Sequence, residues 1–146
     1  MYHMWYTSSM SRDPESSDLR DDRPEALGQQ GKKVPAIFYR TEAGGEPVRE
    51  WLKSLSPRER KGIGEDIKTV EFGWPVGMPV SRALGEGIHE VRTSLGQNRI
   101  ARVLFYIDKR SRMVLLHGFI KKTQKTPRED LDPAKNNKAK HQRGLQ

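Results

Sequence analysis

The chain has 146 residues, 34% of them apolar, and a formal net charge of +8, a size that supports one domain around one modest core. It has no cysteine and four scattered histidines, which excludes disulfides, thiolate metal sites and a cysteine nucleophile, and offers no ligand spacing for a metal. No apolar run approaches the roughly 20 residues that cross a bilayer and no signal-like layout precedes the first strand, so a soluble cytoplasmic protein with no membrane segment, metal or cofactor is expected.

Met1–Lys33 is rich in Ser, Asp, Arg, Gly and Gln. Without apolar periodicity to offset ordering entropy, 1–33 is expected to be a disordered extension. A folded domain is expected over 34–131. Pro35 precedes a short strand, Ala36–Arg40. After the Gly44-Gly45 turn, Pro47 suits a first helical position, and Val48, Trp51, Leu52 and Leu55 recur at helical spacing. Ser56-Pro57-Arg58-Glu59 is a capping-box signature, and Ile63, Ile67 and Val70 continue an apolar stripe behind it. The two segments together predict a helical hairpin.

Gly73–Gly87, punctuated by glycines and by Trp74-Pro75 and Met78-Pro79, reads as a long surface loop. Ile88–Leu95 and Arg99–Ile107 read as strands joined by the hairpin chemistry of Gly96-Gln97-Asn98. Met113–Ile120 is almost continuously apolar, as a strand buried on both faces would be. Thr126, Pro127 and Glu129 have the form of an N-cap, a first helical position and the return partner of a capping box. Asp132-Pro133 should interrupt the helix that follows, leaving a short final helix and a loose basic tail over 132–146. The fold class expected is α+β, a small antiparallel or mixed sheet packed on the N-terminal helical hairpin.

The charge is uneven. From Ile88 onward 14 Lys and Arg face 5 Asp and Glu, whereas Met1–Gly87 holds 13 against 14. Such asymmetry points to nucleic acid or another polyanion, the plainer reading being a solvated basic surface. Strand parity sharpens it: Val91 and Leu95 share a face with Ala101, Val103 and Phe105, so Glu90, Arg92 and Arg102 share the other, expected to be exposed. Lys121, Lys122 and Lys125 leave the end of the adjacent strand.

One carboxylate among several cations suits a phosphodiester. Cleaving RNA through its own 2′-hydroxyl needs a base, charge stabilisation at phosphorus and a proton for the departing 5′-oxygen. Glu90 is the candidate base, Arg92 and Arg102 the phosphate clamps and Lys121 or Lys122 a charge stabiliser or acid, Lys122 being the catalytic candidate of the two; Arg99, Lys121, Lys125 and His117 are candidate RNA contacts. Plainer readings stand beside these. Glu90 and Arg92 could be a solvated pair, Arg102 a strand residue covering core surface, His117 a hydrogen-bonded core histidine, and the lysines a guard against sheet extension.

The order strand, helical hairpin, loop, GIHEVR, RIARVLFY and LLHGFIKKTQKTP resembles the RelE-like toxins of bacterial toxin–antitoxin pairs, in particular the phage-associated HigB-type group, over about Pro35–Leu131. The resemblance implies a ribosome-dependent endoribonuclease that cuts messenger RNA on the ribosome and is silenced by a cognate helix-turn-helix antitoxin. By position, Arg102 matches the family's third-strand arginine, Arg92 the basic residue closing the second strand, and Lys122 the basic residue ending the last. Where well-studied members carry two lysines on the second strand, this chain has Ile88 and Glu90, and its C-terminal helix lacks the tyrosine of some relatives. The alternatives are a non-cleaving RNA- or ribosome-binding inhibitor of translation and a phage-encoded interaction protein with a basic face.

Overall fold

The computed structural model describes residues 31–144. The extension expected over 1–33 therefore lies outside the described residues except at its end, and there it belongs to the domain. The Lys33 N–H donates to the Glu71 carbonyl at 2.8 Å, and Lys32 Nζ lies 3.2 Å from the Glu71 carboxylate with both side chains buried. The domain thus begins ahead of Val34.

The elements in chain order are β1 (Ala36–Phe38), α1 (Pro47–Lys53), α2 (Pro57–Gly73), β2 (Ser81–Gly85), β3 (Ile88–Gly96), β4 (Arg99–Ile107), β5 (Met113–Lys121) and α3 (Arg128–Gly144). The strands form one sheet in the order β1-β5-β4-β3-β2. β1 runs parallel to β5 and the other neighbours are antiparallel, so the mixed α+β architecture expected from the sequence is present. Gln97 and Asn98 both hold positive φ, 55° and 64°, the backbone of a primed two-residue turn whose twist matches the strands it joins. That turn pairs Gly96 with Arg99, and a bulge between Ser94 and Gly96 then shifts the register by one, setting Val91 opposite Val103 and Arg92 opposite Arg102, the register the parity argument requires.

α1 starts with proline in its first turn and buries Val48 and Leu52. α2 starts with the expected capping box: Ser56 accepts from the Glu59 N–H while the Glu59 carboxylate accepts from the Ser56 N–H. Ile63, Ile67 and Val70 are at most 1% exposed. Burying three such side chains contributes roughly 1.5–3 kcal/mol each, which outweighs the cost of up to about 1 kcal/mol for each of Gly62 and Gly64 inside the helix. α1 seats on β5 and α2 on β3, and Arg60 of α2 donates to the Leu52 and Lys53 carbonyls of α1, both at 3.5 Å. The two helices cover neighbouring parts of one sheet face.

Two expectations are corrected. The stretch Gly73–Gly87 is not loop throughout, because Ser81–Gly85 pairs with β3 as an edge strand; its alternation of Arg82 and Leu84 with Ser81 and Ala83 is hidden by the flanking glycines and prolines. The chain end is not loose, because α3 runs for 17 residues with Pro133 inside it. A proline there removes one helical hydrogen bond at a cost of about 3 kcal/mol. Tertiary contacts offset it: Ala134 is fully buried and Leu131 packs against the core of the second sheet face, with Leu104, Tyr106, Val114 and Leu116. Asn137 Nδ2 donates to the Leu116 carbonyl at 3.0 Å, and His141 Nδ1 sits 2.6 Å from the Tyr106 hydroxyl. α3 thus roofs the second face, and Met113–Leu116 of β5 are 0% exposed between the two layers, as the continuous apolar run implied.

Candidate functional site

The second sheet face carries a charged cluster under the start of α3. Glu90, on β3, is at its centre and is 0% exposed. Its Oε2 accepts from Arg92 Nη1 at 2.9 Å and pairs with Arg82 Nη2 at 2.9 Å, its Oε1 accepts from the Thr126 hydroxyl at 2.7 Å, and Arg102 Nε lies 3.8 Å from Oε1. Three arginines therefore share one carboxylate. Arg92 and Arg102 are direct partners across β3 and β4, a like-charge opposition that is tolerable because Glu90 stands beside both.

Arg102 is 0% exposed. Its guanidinium donates to the backbone carbonyls of Thr123, Gln124 and Lys125 (3.2 Å for Gln124 and 3.5 Å for Lys125) and lies over the Phe119 ring, 5.8 Å from its centroid. Burial presses its pKa below the usual arginine value; Glu90 opposes the shift, and Arg92 and Arg82 add to it. The guanidinium nonetheless stays charged at any physiological pH. Arg82 also holds the same loop, donating to the Gln124 carbonyl at 3.1 Å. The arginines thus fix the turn between β5 and α3, and that turn carries the exposed Lys122 and Lys125.

The expectation that Glu90, Arg92 and Arg102 stand on an exposed face is corrected in one respect. They share a face, but the 123–127 segment and α3 cover it. The expected capping box at Thr126 is also absent: α3 begins at Arg128, the Pro127 carbonyl accepts from the Asp130 and Leu131 N–H groups, Thr126 turns to Glu90, and Glu129 pairs with Lys121. Glu90 outcompetes the helix for the hydroxyl because a charged acceptor makes the stronger hydrogen bond.

A second group adjoins the first. His117 Nε2 lies 2.8 Å from Asp130 Oδ1, Lys121 Nζ lies 3.0 Å from Asp130 Oδ2, and the His117 and Phe119 rings are 5.8 Å apart. Hydrogen bonds to Glu129 and then to Asp130 hold the Lys121 pKa above the usual lysine range. Arg99 stands elsewhere, paired with Glu59 of α2 at 3.1 Å. Lys122 is exposed and makes no ion pair among the described residues.

The structure therefore gathers Glu90, Arg92, Arg102, His117 and Lys121 on one face, with Lys122 and Lys125 at its rim, and leaves out Arg99. It adds Arg82, Thr126 and Asp130. Arg82 was masked by loop-like neighbours, Thr126 by its cap-like context, and Asp130 by a helix register the sequence did not suggest. Among the described residues no group of three or more His, Asp or Glu side chains is arranged to hold a metal ion, and no helix is long and apolar enough to cross a membrane.

No curated protein matches the chain. The model of one family, described as phage derived protein Gp49-like (DUF891), matches residues 50–139, a span from α1 through all of β2–β5 and into α3. That match covers more than half of the chain and the whole charged cluster, and the chain belongs to the phage-derived Gp49-like family, a RelE/toxin-like family.

Proposed function

We propose that this chain is the toxin of a toxin–antitoxin pair, of the HigB type, acting as a metal-independent endoribonuclease on ribosome-bound messenger RNA and silenced by a helix-turn-helix antitoxin. The observation that supports this reading most is the excess of cation around Glu90: three arginines against one carboxylate, on the face where β5 ends in exposed lysines. Such an excess sets up a positive potential that favours a polyanion. Arg82 and Arg92, 33% and 11% exposed at the side chain, and the exposed Lys122 and Lys125 are the groups that meet phosphate. Arg102 is a positioning residue that shapes the loop from beneath, and Glu90 holds the arginines rather than acting as a base, since both of its oxygens are engaged and neither reaches solvent.

The burial of Glu90 and Arg102 favours one second reading, a toxin that blocks the ribosome without cutting. The test is induced expression of the full chain in bacteria, with and without Lys122→Ala/Lys125→Ala, mapping messenger RNA 5′ ends within minutes. Codon-registered new ends in the wild type, lost in the double variant at unchanged melting temperature, support the nuclease. Growth arrest without new ends moves the assignment to the blocker, and absence of arrest removes both.

A further inference from the structure

We propose that His117 is the base that takes the 2′-hydroxyl proton, with Asp130 as its positioning residue; this rests on the ribonuclease reading above. The first observation is a β-bulge. The pairing of β4 with β5 shifts between Leu104 and Phe105, which face His117 and Leu115 and leave Leu116 between them. By strict alternation His117 would point with Leu115 toward α1. The bulge reverses the parity: Leu116 and His117 both turn to the α3 side, while Gly118 faces Trp51 of α1, where an added Cβ would lie 2.4 Å from the indole ring. Bulges of this kind re-aim one side chain at a cost in pairing.

The second observation is where the histidine is aimed. His117 is 25% exposed at the side chain and Asp130 10%. An ionised carboxylate only accepts, so the contact at 2.8 Å between Nε2 and Oδ1 places the proton on Nε2 and leaves Nδ1 as a bare acceptor in the neutral ring. Nδ1 has no hydrogen-bond partner among the described residues. The charged groups around the pair are Lys121 and Glu129 beside Asp130, and Arg102 across the Phe119 ring that His117 also flanks. Glu90, by contrast, has no exposed oxygen. His117 thus combines an open acceptor, partial exposure and a carboxylate behind it, next to the cationic cluster.

In the step, Nδ1 accepts the 2′-hydroxyl proton as the O2′–P bond forms. The P–O5′ bond breaks and O5′ takes a proton from water or the Lys122 ammonium. The products are a 2′,3′-cyclic phosphate and a 5′-hydroxyl, and the imidazolium is held by the Asp130 carboxylate.

The test is single-turnover cleavage of ribosome-bound messenger RNA by the full chain and by its His117→Gln, His117→Ala and Asp130→Asn variants, with ribosome affinity measured alongside. Gln can still donate to Asp130, so His117→Gln keeps the tie between β5 and α3. The expected result is a loss of about 10²–10⁴-fold in rate for both His117 variants at unchanged affinity, with partial recovery of His117→Ala by free imidazole. Asp130→Asn should lower the rate, again without weakening ribosome binding. His117→Gln cleaving within about threefold of wild type, far below the loss expected for a missing base, overturns the assignment while leaving the ribonuclease intact. A wild-type chain that does not cleave at all removes the ribonuclease reading and this inference with it.

Discussion

Replacing Glu90 by glutamine tests whether the arginine cluster depends on one charge. Gln keeps the volume and one acceptor oxygen but removes the anion shared by Arg82, Arg92 and Arg102. Breaking a buried pair by deleting one partner costs about 3–5 kcal/mol, because the surviving charge stays buried and uncompensated. The Glu90–Arg92 pair, at 2.9 Å with the carboxylate 0% and the arginine 11% exposed, falls in that class. Arg82 is one-third exposed and its pair is screened, adding at most about 1 kcal/mol. Arg102 keeps its carbonyl partners and loses only the longer contact at 3.8 Å. The expected destabilisation is therefore about 3–6 kcal/mol, a large share of a typical total of about 5–15 kcal/mol. Measured by urea unfolding followed by circular dichroism, it should appear as a fall in midpoint at unchanged slope. Added sulfate or phosphate should restore more stability to the variant than to wild type, since an anion can pair from solvent with the partly exposed Arg82 and Arg92 once they lack their carboxylate. A loss under about 1 kcal/mol, the scale of a surface pair, with no differential response to sulfate would show that Glu90 is not the counter-charge of this cluster.

Two further outcomes are expected. Gly118→Ala places a Cβ 2.4 Å from the Trp51 ring on a strand that cannot shift without breaking its pairing, so it should destabilise by about 1–3 kcal/mol or more, read in the same unfolding assay; a neutral substitution would refute the close approach of α1 to β5. The Tyr106 hydroxyl is pushed up to about 12 by burial first and the Asp108 charge second. The unfolded chain therefore loses this proton first, and the contribution is complete below pH 10 and lost as pH rises from about 10 to 12. Unfolding free energies between pH 9 and pH 12 should fall more steeply for wild type than for Tyr106→Phe; parallel curves would contradict the shift.

The elements that were legible in the sequence are those whose pattern and environment agree. The Ser56 box, the Ile63–Val70 stripe, the Gln97-Asn98 turn and the apolar run of β5 each have one physical solution. β2 was not legible because an edge strand pairs on one side only, and so needs little apolar content in a stretch otherwise marked by glycine and proline. α3 was not legible because its stability is tertiary: Pro133 and a mostly polar composition argue against a helix, and only the apolar second face of β4 and β5, which has to be covered, supplies the reason for one.

The same covering helix explains why the candidate site was half read. Parity alone put Glu90, Arg92 and Arg102 on one face, and that grouping holds because a strand's period of two is insensitive to what lies above it. Whether the face meets solvent depends on the layer above, and Tyr106, Val114 and Leu116 on that face already required one. Once α3 is in place, Asp130 comes to His117 and Thr126 to Glu90, and the site divides. Glu90 and Arg102 become its buried frame, while the groups free to touch a substrate move to its rim. In a cluster where three cations share one anion, burial and function pull against each other: the frame is stable only when roofed, and under the proposed function a phosphate meets only what the roof leaves partly open, namely Arg82, Arg92, Lys122, Lys125 and the open nitrogen of His117.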